Sequence, residues 1–141
     1  MVRILILDDR PDYVRALKGA LQREFDVVTA QTIEEAKLAV SAATKVALVD
    51  VRLSDEDFDD RQGVSFLKWA KERYPDLPIL MMSAYQDFEA LVEALNCGAD
   101  YFLKKPIDLR ELKAILHEFA EHGQQPERTA ELRRRLREES H

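Results

Sequence analysis

Glycine is scarce in this chain of 141 residues: there are four, at positions 19, 63, 98 and 123, and no two lie close together. A loop that cradles phosphates with backbone amides needs clustered glycines, so neither a P-loop nor a dinucleotide fingerprint is present. Cysteine is scarcer still. Cys97 stands alone, which excludes an internal disulfide and suits a reducing compartment, so a cytoplasmic location is expected. No apolar run approaches the ~20 residues of a membrane span, and the opening MVRILILDD reaches acids too early for a signal peptide. No membrane association is expected. A basic surplus is missing too: the formal charge is −6, against the positive footprint that direct nucleic-acid binding requires.

What is present fits a single globular domain. Hydrophobic residues make up 46% and charged residues 34%, enough apolar material to build a core and avoid disorder. Short apolar runs at 4–7, 27–30, 46–49, 79–82 and 101–103 predict strands. Because they are apolar at consecutive positions, they read as strands covered on both faces, in a parallel sheet. Helix-period segments alternate with them. Pro11 suits a first helical position ahead of Val14, Leu17 and Leu21. Thr32 with Glu35, and Asp108 with Glu111, are capping pairs. Phe66, Leu67, Ala70 and Tyr74 mark a third helix, and Phe88, Leu91, Val92 and Leu95 a fourth that ends at Gly98. Leu112, Ile115, Leu116 and Phe119 make the stripe of a fifth. The expected fold is α/β: a doubly wound, five-stranded parallel sheet with five helices, plus a C-terminal helical extension.

That extension follows HGQQPE. Its only large apolar residues are Leu132 and Leu136, too few for a heptad seam, so a solvated helix or linker is expected, with a tether to an output module as the alternative. Residues 1–122 carry 23 acids and 16 bases, while 123–141 carry 4 and 5, a change of sign at the same boundary. His117, His122, Trp69 and Cys97 read as surface or packing residues.

Ligands of an open parallel sheet bind beyond the carboxyl ends of its strands. There the sequence places Asp8 and Asp9 after the first strand, Asp50 after the third, Ser83 and Ala84 after the fourth, and Lys104, Lys105 and Pro106 after the fifth. Gathered carboxylates raise one another's pKa unless a cation joins them. A hard divalent ion such as Mg²⁺ meets that need and suits a site that also takes phosphate. Acids also crowd the segment after Asp50: Asp55, Glu56, Asp57, Asp59 and Asp60. A calcium loop there fails, since Asp60 replaces the turn glycine and Phe66 stands where the closing glutamate belongs. A solvated loop is expected.

The segments ILILDDR, VALVDVRL, ILMMSAY and GADYFLKKP, in this order, resemble the receiver domain of bacterial two-component response regulators over about residues 2–122. The resemblance implies a flavodoxin-like receiver domain at 1–122 and a linker or helical tail at 123–141. It implies that Asp50 is the phosphoacceptor, charged by a histidine kinase or phosphotransfer protein. Mg²⁺ would be held by Asp8, Asp9, Asp50 and the backbone carbonyl of Arg52. Ser83 and Lys105 would bind the phosphoryl group, and Ser83 and Phe102 would act as switch residues. The protein would then be a signalling phosphoacceptor and not an enzyme acting on other substrates. Its output partner is open, and a homodimer through the fourth and fifth βα units is expected. Arg52 and Tyr85 would border the path of hydrolytic water and slow loss of the phosphoryl group. Gly63 comes later after Asp50 than in the family pattern, which makes the acidic segment an insertion. Two other readings compete. A haloacid-dehalogenase-like phosphohydrolase needs a D-x-D pair after the first strand, where this chain has adjacent aspartates. A receiver-like interaction module that signals without phosphorylation is the remaining alternative, disfavoured by the intact acids, Ser83 and Lys105.

Overall fold

The computed structural model describes residues 1–53, 62–84 and 88–139. Five strands, β1 (Arg3–Leu7), β2 (Asp26–Ala30), β3 (Thr44–Asp50), β4 (Ile79–Ser83) and β5 (Tyr101–Lys104), form one parallel sheet in the order β2-β1-β3-β4-β5. Helices α1 (Pro11–Leu21), α2 (Ile33–Ala39), α3 (Gln62–Arg73), α4 (Phe88–Asn96) and α5 (Leu109–His122) alternate with them, and α6 (Pro126–Glu139) follows. The expected sheet and its helices are therefore present, and the chain order reverses between β1 and β3.

Alternation along each strand divides the interior in two. Leu5, Leu7, Ala47, Val49, Ile79 and Met81 face α2, α3 and α4, with Phe66 and Leu67 fully buried among them. Ile4, Ile6, Val46, Leu48, Leu80 and Met82 face α1 and α5, against Leu17, Leu21, Leu116 and Phe119. A strand covered on both sides has no polar face to offer, which is why these runs are continuously apolar.

The helix ends follow their local chemistry. Pro11 opens α1, where its missing N–H costs nothing. The Thr32 hydroxyl accepts from the Glu35 amide at 3.1 Å, and the Asp108 carboxylate accepts from the amides of Arg110 and Glu111. Gly98, at φ 104°, makes the turn after α4 in a region that side chains avoid.

One expectation is corrected. The tail is helical, but it is not a solvated extension: Leu132 and Leu136 are only 6% and 3% exposed and belong to the core cluster on the α4 side. Two leucines are too few to zip a coiled coil, yet enough to seat one helix on an apolar surface that the sheet already provides.

Candidate functional site

Parallel strands that start together also end together, so β1, β3, β4 and β5 deliver their next residues to one rim. Asp8 and Asp50 are buried there and Asp9 half-buried, and one carboxylate oxygen from each lies within 4.8 Å of the other two. Lys105, one residue beyond β5, reaches back across them. Its Nζ donates to Asp8 Oδ2 and to Asp50 Oδ2, each at 3.0 Å. Lys104, by contrast, is exposed. The strand-end position of Lys105 is held by its amide, which donates to the Ser83 carbonyl at 2.8 Å, and its peptide bond to Pro106 is cis. Ser83 is fully buried, and its hydroxyl donates to the Ala84 carbonyl at 3.0 Å.

Backbone bonds fix the Asp50 end as well. The Val51 amide donates to Met82 O at 2.9 Å, and the Arg52 amide reaches the Asp50 Oδ1 oxygen at 3.3 Å. The Arg10 amide donates to Asp8 Oδ1 at 3.0 Å. Both buried aspartates are thus bonded on two sides, by a backbone amide and by the Lys105 ammonium.

The electrostatics are those of a charge held in a dry place. Burial pushes the Asp50 carboxyl up to about 7; the Asp8 charge adds to the rise, and Lys105 and the Arg52 amide oppose it. Burial pushes the Lys105 ammonium down, but the charges of Asp50 and Asp8 outweigh it and leave its pKa above the ordinary value. Carboxylates gathered this closely repel one another when all are ionised. Hard oxygen donors at chelating separations fit a divalent cation such as Mg²⁺.

Two contributors escaped the sequence reading. Tyr13 on α1 lies under Lys105, its ring centroid 4.7 Å from Nζ, and burial raises its phenol pKa. It shares its helix with core residues and carries no local signal of that contact. In the sequence, Gly63 is only a spacing marker after Asp50. In the fold a Cβ there would sit 1.9 Å from the Asp50 carbonyl oxygen, and the Gly63 amide donates to Val51 O at 3.0 Å. α3 therefore starts in direct backbone contact with the residue at the centre of the site. Phe102 is half-buried on β5 and packs against the α4-side cluster, away from the acids. Arg52 is buried beside Asp50. Tyr85 and the acidic segment 55–60 lie outside the described residues.

His117 and Trp69 make packing contacts. His117 Nε2 lies 2.9 Å from Glu24 and its ring packs on Phe25. Trp69 packs on Phe66, with Lys37 and Arg73 over its ring.

Comparison with known proteins identifies this arrangement. The family model for the response regulator receiver domain matches residues 4–117. The chain belongs to that family. It is 32% identical over 116 residues to the response regulator protein PilR of Pseudomonas aeruginosa, a match covering 81% of this chain and 25% of PilR. It is 36% identical over 112 residues to the DNA-binding transcriptional regulator NtrC of Escherichia coli, covering 79% of this chain and 22% of NtrC. The chain thus spans a quarter or less of the length of these relatives. Among solved structures, the receiver domain of NtrX from Brucella abortus superposes with a TM-score of 0.74 at 27% identity, over 84% of this chain and 98% of that one. A CheY-like receiver domain protein from Methanospirillum hungatei does so with 0.74 at 30%, over 86% and 94%.

Proposed function

We propose that residues 1–122 act as a phosphoacceptor domain in two-component signalling, with Asp50 as the acceptor, and that 123–141 form an appended tail. The observation that carries this reading is the Lys105 ammonium bonded to both Asp8 and Asp50 at one strand-end rim. A histidine kinase or phosphotransfer protein would be the donor. One Asp50 carboxylate oxygen forms a bond to phosphorus as the donor's P–N bond breaks, and the electron pair returns to the imidazole nitrogen, which takes up a proton. Such transfer depends on positioning and charge stabilisation more than on covalent help from the protein.

Each neighbour then has a task. Lys105 stands where it can neutralise a phosphoryl oxygen, and the Ser83 hydroxyl can turn from the Ala84 carbonyl to donate to another. Asp8, Asp9, Asp50 and the Arg52 carbonyl would hold Mg²⁺. When bound, the ion supplies positive charge to the carboxylates and to the phosphoryl oxygens. The acyl phosphate brings about two negative charges and draws Ser83 and Lys105 toward it, which shifts the ends of β4 and β5. Phe102, on β5, moves with that strand. Signal output through the fourth and fifth βα units, including a homodimer, rests on the same link. One solved relative, the DrrB receiver domain (25% identical, TM-score 0.75, covering 86% of this chain and 99% of that one), is described as activated by BeF3, which makes that group a rational phosphoryl mimic here. A reducing, cytoplasmic setting and the absence of direct nucleic-acid contact complete the reading.

The test is intact mass after incubation with acetyl phosphate and Mg²⁺. Wild type should gain one phosphoryl group and Asp50→Ala none. An equal gain in both would move the acceptor elsewhere, and no gain in wild type would favour an interaction module that works unphosphorylated.

A further inference from the structure

Helix α6 lies on the surface built by α4, β5 and α5, and it touches all three. The Arg128 guanidinium pairs with Glu118 of α5 and lies over the Tyr101 ring of β5, 5.3 Å from its centroid. The Thr129 hydroxyl donates to the Asp100 carbonyl at 2.6 Å, next to the edge strand β5. Arg133 donates to the Leu95 carbonyl in the last turn of α4. Leu132 and Leu136, four residues apart, are buried beneath the helix.

The seat is narrow. A cleft of about 290 Å³ opens on the β5–α5 side of α6, between Phe102, Lys104 and Pro106 and the helix residues Leu132, Arg135 and Leu136. A second groove of about 330 Å³ opens on the other side, lined by Val92, Leu95, Arg133 and Leu136 among others. The helix thus lies between two open channels, held by contacts that include the two leucines and the clasps of Arg128, Thr129 and Arg133. Its remaining surface is strongly polar and needs no burial.

The strand that seats it leads directly to the site. Tyr101 lies under Arg128, Phe102 lines the cleft, and Lys105, three residues on, bonds Asp8 and Asp50. A group at Asp50 that draws Lys105 inward displaces β5 beneath the helix that sits on it. We propose that α6 is a releasable cap: it occupies the α4–β5–α5 face of its own chain, and phosphorylation of Asp50 loosens it and uncovers that face. This rests on the phosphoacceptor reading above.

A ligand that weakens docking of α6 must itself bind more tightly when α6 is undocked, by the same factor. The 141-residue chain is titrated with beryllofluoride in Mg²⁺, and amide hydrogen exchange is followed at 126–139. Exchange there should speed up on binding by about fivefold or more, the lower end of ordinary coupling between sites, while α1 and α3 stay protected. Leu132→Asp/Leu136→Asp should show fast exchange without the mimic and bind beryllofluoride several-fold more tightly. The milder Thr129→Val/Arg133→Ala pair, which leaves the leucines in place, should move both readings in the same direction by less. If beryllofluoride binds wild type while exchange at 126–139 and the affinity of both variants stay unchanged, α6 is a fixed part of the domain and the cap is wrong. If it does not bind wild type at all, the phosphoacceptor reading falls and the cap with it.

Discussion

As the proposed phosphoacceptor, Asp50 would meet two opposed demands: a carboxylate must be ionised to attack phosphorus, and this one is buried beside another acid. Its folded pKa of about 7 lies above the ordinary 3.8. The folded chain therefore holds this proton more tightly than the unfolded chain does. The resulting stabilisation is present at low pH and is lost as pH rises from about 4 through 7. Without divalent cation, wild type should lose thermal stability between pH 5 and pH 8. Asp50→Asn should flatten that slope and melt higher at pH 8, by roughly 3 °C for each kcal/mol relieved. Parallel melting curves for the two proteins across this range would show that burial of the charge costs nothing. Gly63 makes a second prediction at this scale. Gly63→Ala forces a methyl onto the Asp50 carbonyl; it should destabilise the fold by about 1–3 kcal/mol, as overpacking does, and slow acetyl-phosphate uptake. Denaturant midpoints and mass spectrometry measure the two effects, and an unchanged midpoint would remove the clash. The acids, Ser83 and Lys105 were legible because each sits at the end of an apolar run. Tyr13 and the crowding at Gly63 were not, since both arise from the approach of segments far apart in sequence.

Elements are joined here by few but costly bonds. The Lys71 ammonium of α3 donates to Asp100 Oδ2 and to the Leu77 carbonyl, both at 2.7 Å, and Asp100 Oδ2 also accepts from the Ile79 amide at 2.8 Å. One carboxylate thus ties α3 to the starts of β4 and β5. Lys71→Met removes the positive partner and strands a buried charge, which typically costs about 3–5 kcal/mol. Urea unfolding should show a loss of that order, and a loss below that of an exposed pair would mean that water reaches Asp100. Helix starts at Pro11, Thr32 and Asp108 could be read from sequence because a cap is local chemistry. Docking of α6 could not. Its two leucines gain meaning only against Leu95 and β5, a surface assembled from other parts of the chain.

At the scale of the molecule, the order β2-β1-β3-β4-β5 brings Asp8, Asp9 and Asp50 together from neighbouring strands, and the two-sided burial of each strand was visible as unbroken apolar runs. A cation that binds only the assembled rim stabilises the whole fold by mass action, about 2.7 kcal/mol at a hundred times its Kd. Mg²⁺ should therefore raise the melting temperature of wild type by several degrees and that of Asp9→Ala far less. Equal shifts would take Asp9 out of the metal set. The overall charge of −6 attracts such cations in general, so the same comparison at raised monovalent salt separates chelation from screening.

The double anchoring of the Asp50 end has an evolutionary consequence. Val51 is tied back to β4 through Met82, and Gly63 returns the chain to Val51. Whatever runs between these two ties starts and finishes at fixed points. Closing a chain between two fixed points costs only about 0.6 kcal/mol more for each doubling of its length where that chain is flexible. The two ties stay where they are whatever the length of the stretch between them. On those terms a lineage, or a protein engineer grafting a recognition peptide, could vary the stretch between the ties without moving the ties themselves.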